Sequence, residues 1–108
     1  MMQQKELRYY IDAKSKAPFF EGLNSINDHT TKARIKQWVN RLVLGLYGDC
    51  KSISKNLWEL RLDFGSGYRI YFTEQGDEII LLLCGGNKST QQRDIERAKS
   101  YMEALKGT

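Results

Sequence analysis

Between Leu57 and Thr73 apolar residues recur at every second position, a period that a strand satisfies and a helix does not. Trp58, Leu60, Leu62 and Phe64 fall on one side, and Glu59, Arg61 and Asp63 on the other. A Gly65-Ser66-Gly67 turn follows, after which Tyr68, Ile70 and Phe72 resume the apolar side, with Arg69, Tyr71 and Thr73 opposite, as a hairpin requires. A second turn at Gln75-Gly76-Asp77 leads into Ile79 to Leu83, whose unbroken apolar run suits a strand covered on both faces. These three segments predict an antiparallel meander.

Glu6 to Ile11 is short and rich in Tyr and Ile, as a first strand is. Pro18 suits the first turn of a helix, where its missing N–H has no partner to lose, and Phe19, Phe20, Leu23 and Ile26 follow at helical spacing. A second helix begins after Asn27 and Asp28, with Asp28 or Thr30 as cap and Ile35, Trp38, Val39, Leu42 and Leu46 as its apolar stripe. Residues 47–56 have turn composition. Past Gly85 and Gly86 a last helix carries Ile95, Ala98, Met102 and Leu105 on one face. The order β-α-α-β-β-β-α predicts an α+β fold, an antiparallel sheet with helices packed on it.

A chain of 108 residues, 41% hydrophobic and 28% charged with one Pro, is expected to form a single domain over residues 1–108 and not a disordered or repetitive chain. Seventeen basic against thirteen acidic residues leave +4, which favours polyanionic or acidic partners or serves simple solubility. Cys50 and Cys84 lie too far apart for a CxxC motif and His29 is the sole histidine, so neither a metal site nor a cofactor is expected. The N-terminus lacks the apolar core of a signal peptide, and the run from Ile79 to Cys84 is too short to span a bilayer. The expectation is a reduced, cytoplasmic protein with no membrane partner.

Equal parity across the hairpin places Arg61 and Arg69 on one face, where two guanidiniums repel each other unless an anion lies between them. Pairing with Glu59 and Asp63 as surface ion pairs is the plainer alternative. Lys88 follows a diglycine and precedes a helix start, a natural place for a phosphate, while Ser89 or Thr90 serves as helix cap. The run GGNKST lacks the GxxxxGK spacing of a nucleoside-triphosphate loop.

The stretches LWELRLDFGSGYRIYF and IILLLCGGNKSTQQRDIERAKSY resemble the RelE/ParE superfamily of toxins from type II toxin–antitoxin modules. Within it, the likeness is to the HigB-like, phage-related branch of addiction module killer proteins. The resemblance covers nearly the whole chain and implies a RelE-like fold and a metal-independent endoribonuclease that cuts mRNA on the ribosome. It also implies a cognate antitoxin of helix-turn-helix, DNA-binding type. It assigns catalysis to Arg61, Arg69 and Lys88. Tyr71, Ser89, Thr90 and Arg93 are expected to bind RNA, Tyr71 by stacking on a base.

Asn87 departs from the branch, which usually has Asp there, and Gln91, Gln92, Arg93 and Asp94 stand where the RelE archetype has a tyrosine. Attack of a ribose 2′-hydroxyl on phosphorus needs a proton acceptor, stabilised equatorial oxygens and a proton for the leaving oxygen. The arginines suit the second task, Lys88 suits proton exchange, and Glu59 is the carboxylate nominated as base. A ParE-like gyrase inhibitor and a non-catalytic remnant that binds antitoxin or nucleic acid are the alternatives.

Overall fold

The computed structural model describes residues 4–65 and 67–107, and Ser66 of the expected Gly65-Ser66-Gly67 turn lies outside them. Its elements are β1 (Glu6–Tyr9), α1 (Pro18–Asn24), α2 (His29–Val43), β2 (Cys50–Ser54), β3 (Leu57–Leu62), β4 (Tyr68–Gln75), β5 (Ile79–Gly86) and α3 (Gln91–Lys106), with a 3₁₀ turn at Lys88–Thr90 before α3. The strands form one sheet in the order β1-β5-β4-β3-β2, and the fold is α+β and compatible with a RelE-like architecture.

Local chemistry accounts for most boundaries. Pro18 opens α1, and the Asp28 carboxylate accepts the Thr30 backbone N–H to cap α2. Gly65, Gly67 and Gly76 take positive φ at the two hairpin turns, a region that costs a side chain strain and glycine none.

Three sequence expectations are corrected. Cys50–Ser54, read within a turn, is a fifth strand, paired antiparallel to β3 with a bulge between Ser52 and Ser54. Its exposed Lys51 and Ser52 blunt an edge strand, and such polarity hides a strand from a search for alternating apolar residues. β1 pairs parallel to β5, so the sheet is only mostly antiparallel. Finally, α2 ends at Val43, followed by Gly45 at φ +81°, and Leu46 lies outside the helix and is about half exposed.

The sheet is covered on both faces. Phe19 and Leu23 of α1 and Ile35, Val39 and Leu42 of α2 pack on Leu60, Leu62, Ile70, Phe72, Ile80 and Leu82. On the other face Ala98, Ile95 and Met102 of α3 pack on Leu57, Tyr71, Leu81 and Leu83. β5 therefore buries both of its sides, as its unbroken apolar run requires. Between β4 and β5 the register steps from Tyr71↔Cys84 to Phe72↔Leu82, a bulge that leaves Leu83 without an opposite residue and sends Leu83 and Cys84 into the same cluster under α3. Beyond it Gly85 pairs with Ile70 and Gly86 with Arg69, which brings the end of β5 and the start of α3 alongside the arginine pair.

Candidate functional site

Arg61 of β3 and Arg69 of β4 are direct cross-strand partners on the face that α3 covers. α3 packs on β5 and β4 and meets β3 at Leu57 and Glu59, while the Arg61 side chain beyond them stays 38% exposed. Two cations side by side need an anion, and Glu59 supplies it from the same face. Its carboxylate has no exposed surface. Oε1 accepts Arg61 Nε at 2.9 Å, while Oε2 accepts the Tyr71 hydroxyl at 3.0 Å and Gln91 Nε2 at 2.9 Å. Arg69 Nε stands 3.7 Å from Oε2.

A buried carboxylate is costly to desolvate unless its lone pairs are filled, and here two strands and a helix fill them. Burial pushes the Glu59 pKa up, but hydrogen bonds from Arg61, Gln91 and Tyr71 together with the Arg61 charge outweigh it, leaving the carboxyl below its usual range. A carboxylate so occupied and so weakly basic is ill suited to take a proton, which corrects its nomination as base. The same hydrogen bond to Glu59 raises the Arg61 pKa.

Arg61 gives its Nε to Glu59, whereas Arg69 Nε makes no hydrogen bond among the described residues and Arg69 Nη1 donates to the Gly67 carbonyl at 3.3 Å. Beyond lies a groove of about 280 Å³ walled by Arg61, Arg69, Gly67, Tyr68 and Lys88, with Asp49 and Asp63 exposed at its rim. Lys88 stands on the far wall, its Cβ 3.6 Å from where a side chain at Gly67 would begin. The three cations expected from the sequence thus share one groove, with different exposure: the Arg61 side chain is 38% exposed and that of Arg69 12%.

The other predicted residues fall elsewhere. Tyr71 is wholly buried, so the expectation that its ring stacks on a nucleobase does not hold; its hydroxyl serves Glu59 instead. Asn87 Oδ1 accepts the Thr90 backbone N–H at 3.1 Å and the Ser89 hydroxyl at 2.6 Å, and the Asn87 N–H donates to Thr90 Oγ1 at 3.3 Å, a reciprocal capping box. An amide oxygen therefore caps this turn as a carboxylate would. Arg93 does not reach the groove; it lines a second cavity on the other side of the Gly86–Asn87 corner, together with Arg97.

Gln91 and Asp94 were missed by sequence reasoning. Asp94 is 99% buried, accepts the Thr90 hydroxyl at 2.6 Å, and faces Arg97 at 3.5 Å and Arg93 at 3.7 Å. Both residues lie on the continuation of the Ile95, Ala98, Met102 stripe by one helical turn, a polar extension of an apolar face that periodicity could have flagged. The thiols stand apart from the groove, and burial raises the pKa of Cys50 to about 11 and of Cys84 to about 12. Among the described residues, no group of three or more His, Cys, Asp and Glu is placed to hold a metal ion, and no helix is long and apolar enough to cross a membrane.

Residues 22–103 match the family described as phage derived protein Gp49-like (DUF891). An uncharacterized protein of Haemophilus influenzae is 40% identical over 95 residues, covering 88% of this chain and 96% of its own length. With a RelE-compatible sheet and a matched segment that runs from α1 nearly to the end of α3, the chain belongs to the phage-derived Gp49-like family, a RelE/HigB-type toxin family.

Proposed function

We propose that this chain is the toxin of a toxin–antitoxin module and that it cleaves mRNA at the groove between Arg61, Arg69 and Lys88. The observation that carries the reading is the pair of in-register arginines held over one buried carboxylate, with a lysine across the groove. A phosphodiester in that groove meets two planar donors, and guanidinium forks match phosphate oxygens bidentately.

In the reaction the 2′-oxygen forms a bond to phosphorus as its proton passes to water in the open groove, and the bond to the 5′-oxygen breaks. Arg61 and Arg69 stabilise the charge that grows on the equatorial oxygens, and the Lys88 ammonium gives a proton to the departing 5′-oxygen. The products are a 2′,3′-cyclic phosphate and a free 5′-hydroxyl. Glu59 touches no reacting atom and is a positioning residue, fixing where both guanidiniums stand. The reading extends to action on ribosome-bound mRNA in the cytoplasm, without metal or cofactor. Its partner is an antitoxin of DNA-binding helix-turn-helix type whose acidic segment covers the basic groove.

Induction in a bacterium, followed by mapping of mRNA 5′ ends by primer extension, tests this. New ends inside translated codons are expected, and Arg61→Ala, Arg69→Ala and Lys88→Ala are each expected to reduce them by about 10²-fold or more, the usual loss of one oxyanion-stabilising donor. Growth arrest with intact mRNA and damaged DNA would instead indicate gyrase inhibition.

A further inference from the structure

The Glu59 oxygen nearest Arg69 is already full. A carboxylate oxygen has two lone pairs to offer, and on Oε2 they go to the Tyr71 hydroxyl at 3.0 Å and to Gln91 Nε2 at 2.9 Å. Arg69 Nε is held off at 3.7 Å, and although it is buried it has no hydrogen-bond partner among the described residues. The bond that this guanidinium does make, from Nη1 to the Gly67 carbonyl, is long at 3.3 Å. Arg61, by contrast, is engaged with Oε1 at 2.9 Å.

The two donors on Oε2 are neutral, so they fill the oxygen without changing the charge of the cluster. Arg61 matches the carboxylate, and the charge of Arg69 is the surplus. A guanidinium whose side chain is only 12% exposed is costly to keep uncommitted, and it would close on Oε2 if a lone pair came free. Tyr71 donates from within the sheet, whereas Gln91 reaches in from the start of α3. The backbone N–H of Gln91 also donates to the Lys88 carbonyl. One residue thus fastens the turn that carries Lys88 and occupies the place that Arg69 would otherwise take.

We propose that Gln91 is a positioning residue for RNA cleavage, its amide keeping Arg69 off Glu59 so that the guanidinium stays available to the phosphodiester. The inference rests on the RNA-cleaving reading and gives the two arginines unequal parts. Arg61 is fixed by Glu59 in the free protein, and Arg69 commits only when a phosphate arrives. A donor that must first leave an ion pair loses part of its interaction with the transition state to that exchange, and a donor held uncommitted does not.

Two variants test this in the full chain. Gln91→Met keeps the length and helix propensity of the side chain but cannot donate, so α3 is expected to stand. Tyr71→Phe frees the other lone pair without touching α3. In single-turnover cleavage of mRNA on purified ribosomes, each is expected to lower the rate about tenfold, less than the roughly 10²-fold loss of a stabilising donor outright. A double-mutant cycle then separates positioning from structure. With Arg69→Ala in place, Gln91→Met is expected to have no further effect, whereas with Lys88→Ala the two losses are expected to multiply. A merely loosened α3 would lower the rate in both backgrounds alike.

The second measurement does not depend on cleavage. The Nε–H resonance of Arg69, assigned by its loss in Arg69→Lys, is followed by NMR in the Lys88→Ala chain. Gln91→Met is expected to move it downfield as it gains the carboxylate. An unmoved resonance, full cleavage by Gln91→Met, or an effect of the same size with and without Arg69 would overturn the proposal. RNA left intact by the unmodified chain, with the Arg69 resonance still moving, would remove the nuclease reading and leave Gln91 as the residue that keeps Arg69 uncommitted.

Discussion

Glu59 holds a full negative charge out of water, and its neutral isostere separates the roles of that charge. Glu59→Gln keeps the volume but leaves Arg61 and Arg69 facing each other without an anion. Removal of one partner from a buried ionic cluster is strongly destabilising, and with Arg61 partly solvated we expect a loss of about 2 kcal/mol in urea unfolding. The folded pKa of Glu59 lies below its unfolded value, so its contribution is complete above the unfolded carboxylate pKa near ~4.3 and is lost as pH falls through the lower folded value. Acid unfolding curves are accordingly expected to be shallower for the variant than for the parent below about pH 4. Strand parity alone put Arg61, Arg69 and Glu59 on one face. That α3 would cover Glu59 and Tyr71 while leaving the Arg61 end open was not legible, because alternation names a face and says nothing of what lands on it.

At the scale of elements the junction of β5 and α3 leaves no room for a side chain at Gly86. A Cβ on Gly86 would stand 1.9 Å from Asp94 Oδ2 and 2.7 Å from Thr90 Oγ1, so the strand end and the first turn of α3 fit together only through glycine. Gly86→Ala is expected to cost about 2–3 kcal/mol, the scale of overpacking, and to speed amide exchange in the first turns of α3. Adding Asp94→Ala makes room and is expected to recover part of that loss in thermal melts, a non-additivity that identifies the contact. At the other side of the sheet, Asp28→Ala removes the cap of α2 and is expected to lower the urea-unfolding midpoint without moving the groove. Caps, turns and buried strands were readable since each rests on local chemistry. β2 and the parallel pairing of β1 were not, for a polar edge strand owes its place to the neighbour that pairs with it.

Across the whole molecule the excess of four positive charges sets how a polyanion is met. With Arg61, Arg69 and Lys88 on phosphates, the logarithm of RNA affinity is expected to fall with the logarithm of salt at a slope of about −2, roughly −0.7 per contact on a single strand. Each alanine variant is expected to flatten that slope by about 0.7 in filter-binding or anisotropy titrations. The order of the sheet has a different consequence. β1 has one neighbour, β5, the strand of this sheet furthest along the chain, and α1 packs on β5 as well. The first and last parts of the chain therefore close on each other late, at the loop-closure cost that slows folding of such topologies. Lys88 and Gln91 lie beyond that last strand, so a nascent chain still short of them has neither the far wall of its groove nor the amide that steadies Glu59. On the proposed reading, a polypeptide laid out in this order can cut no message until Lys88 and Gln91 have been added to it.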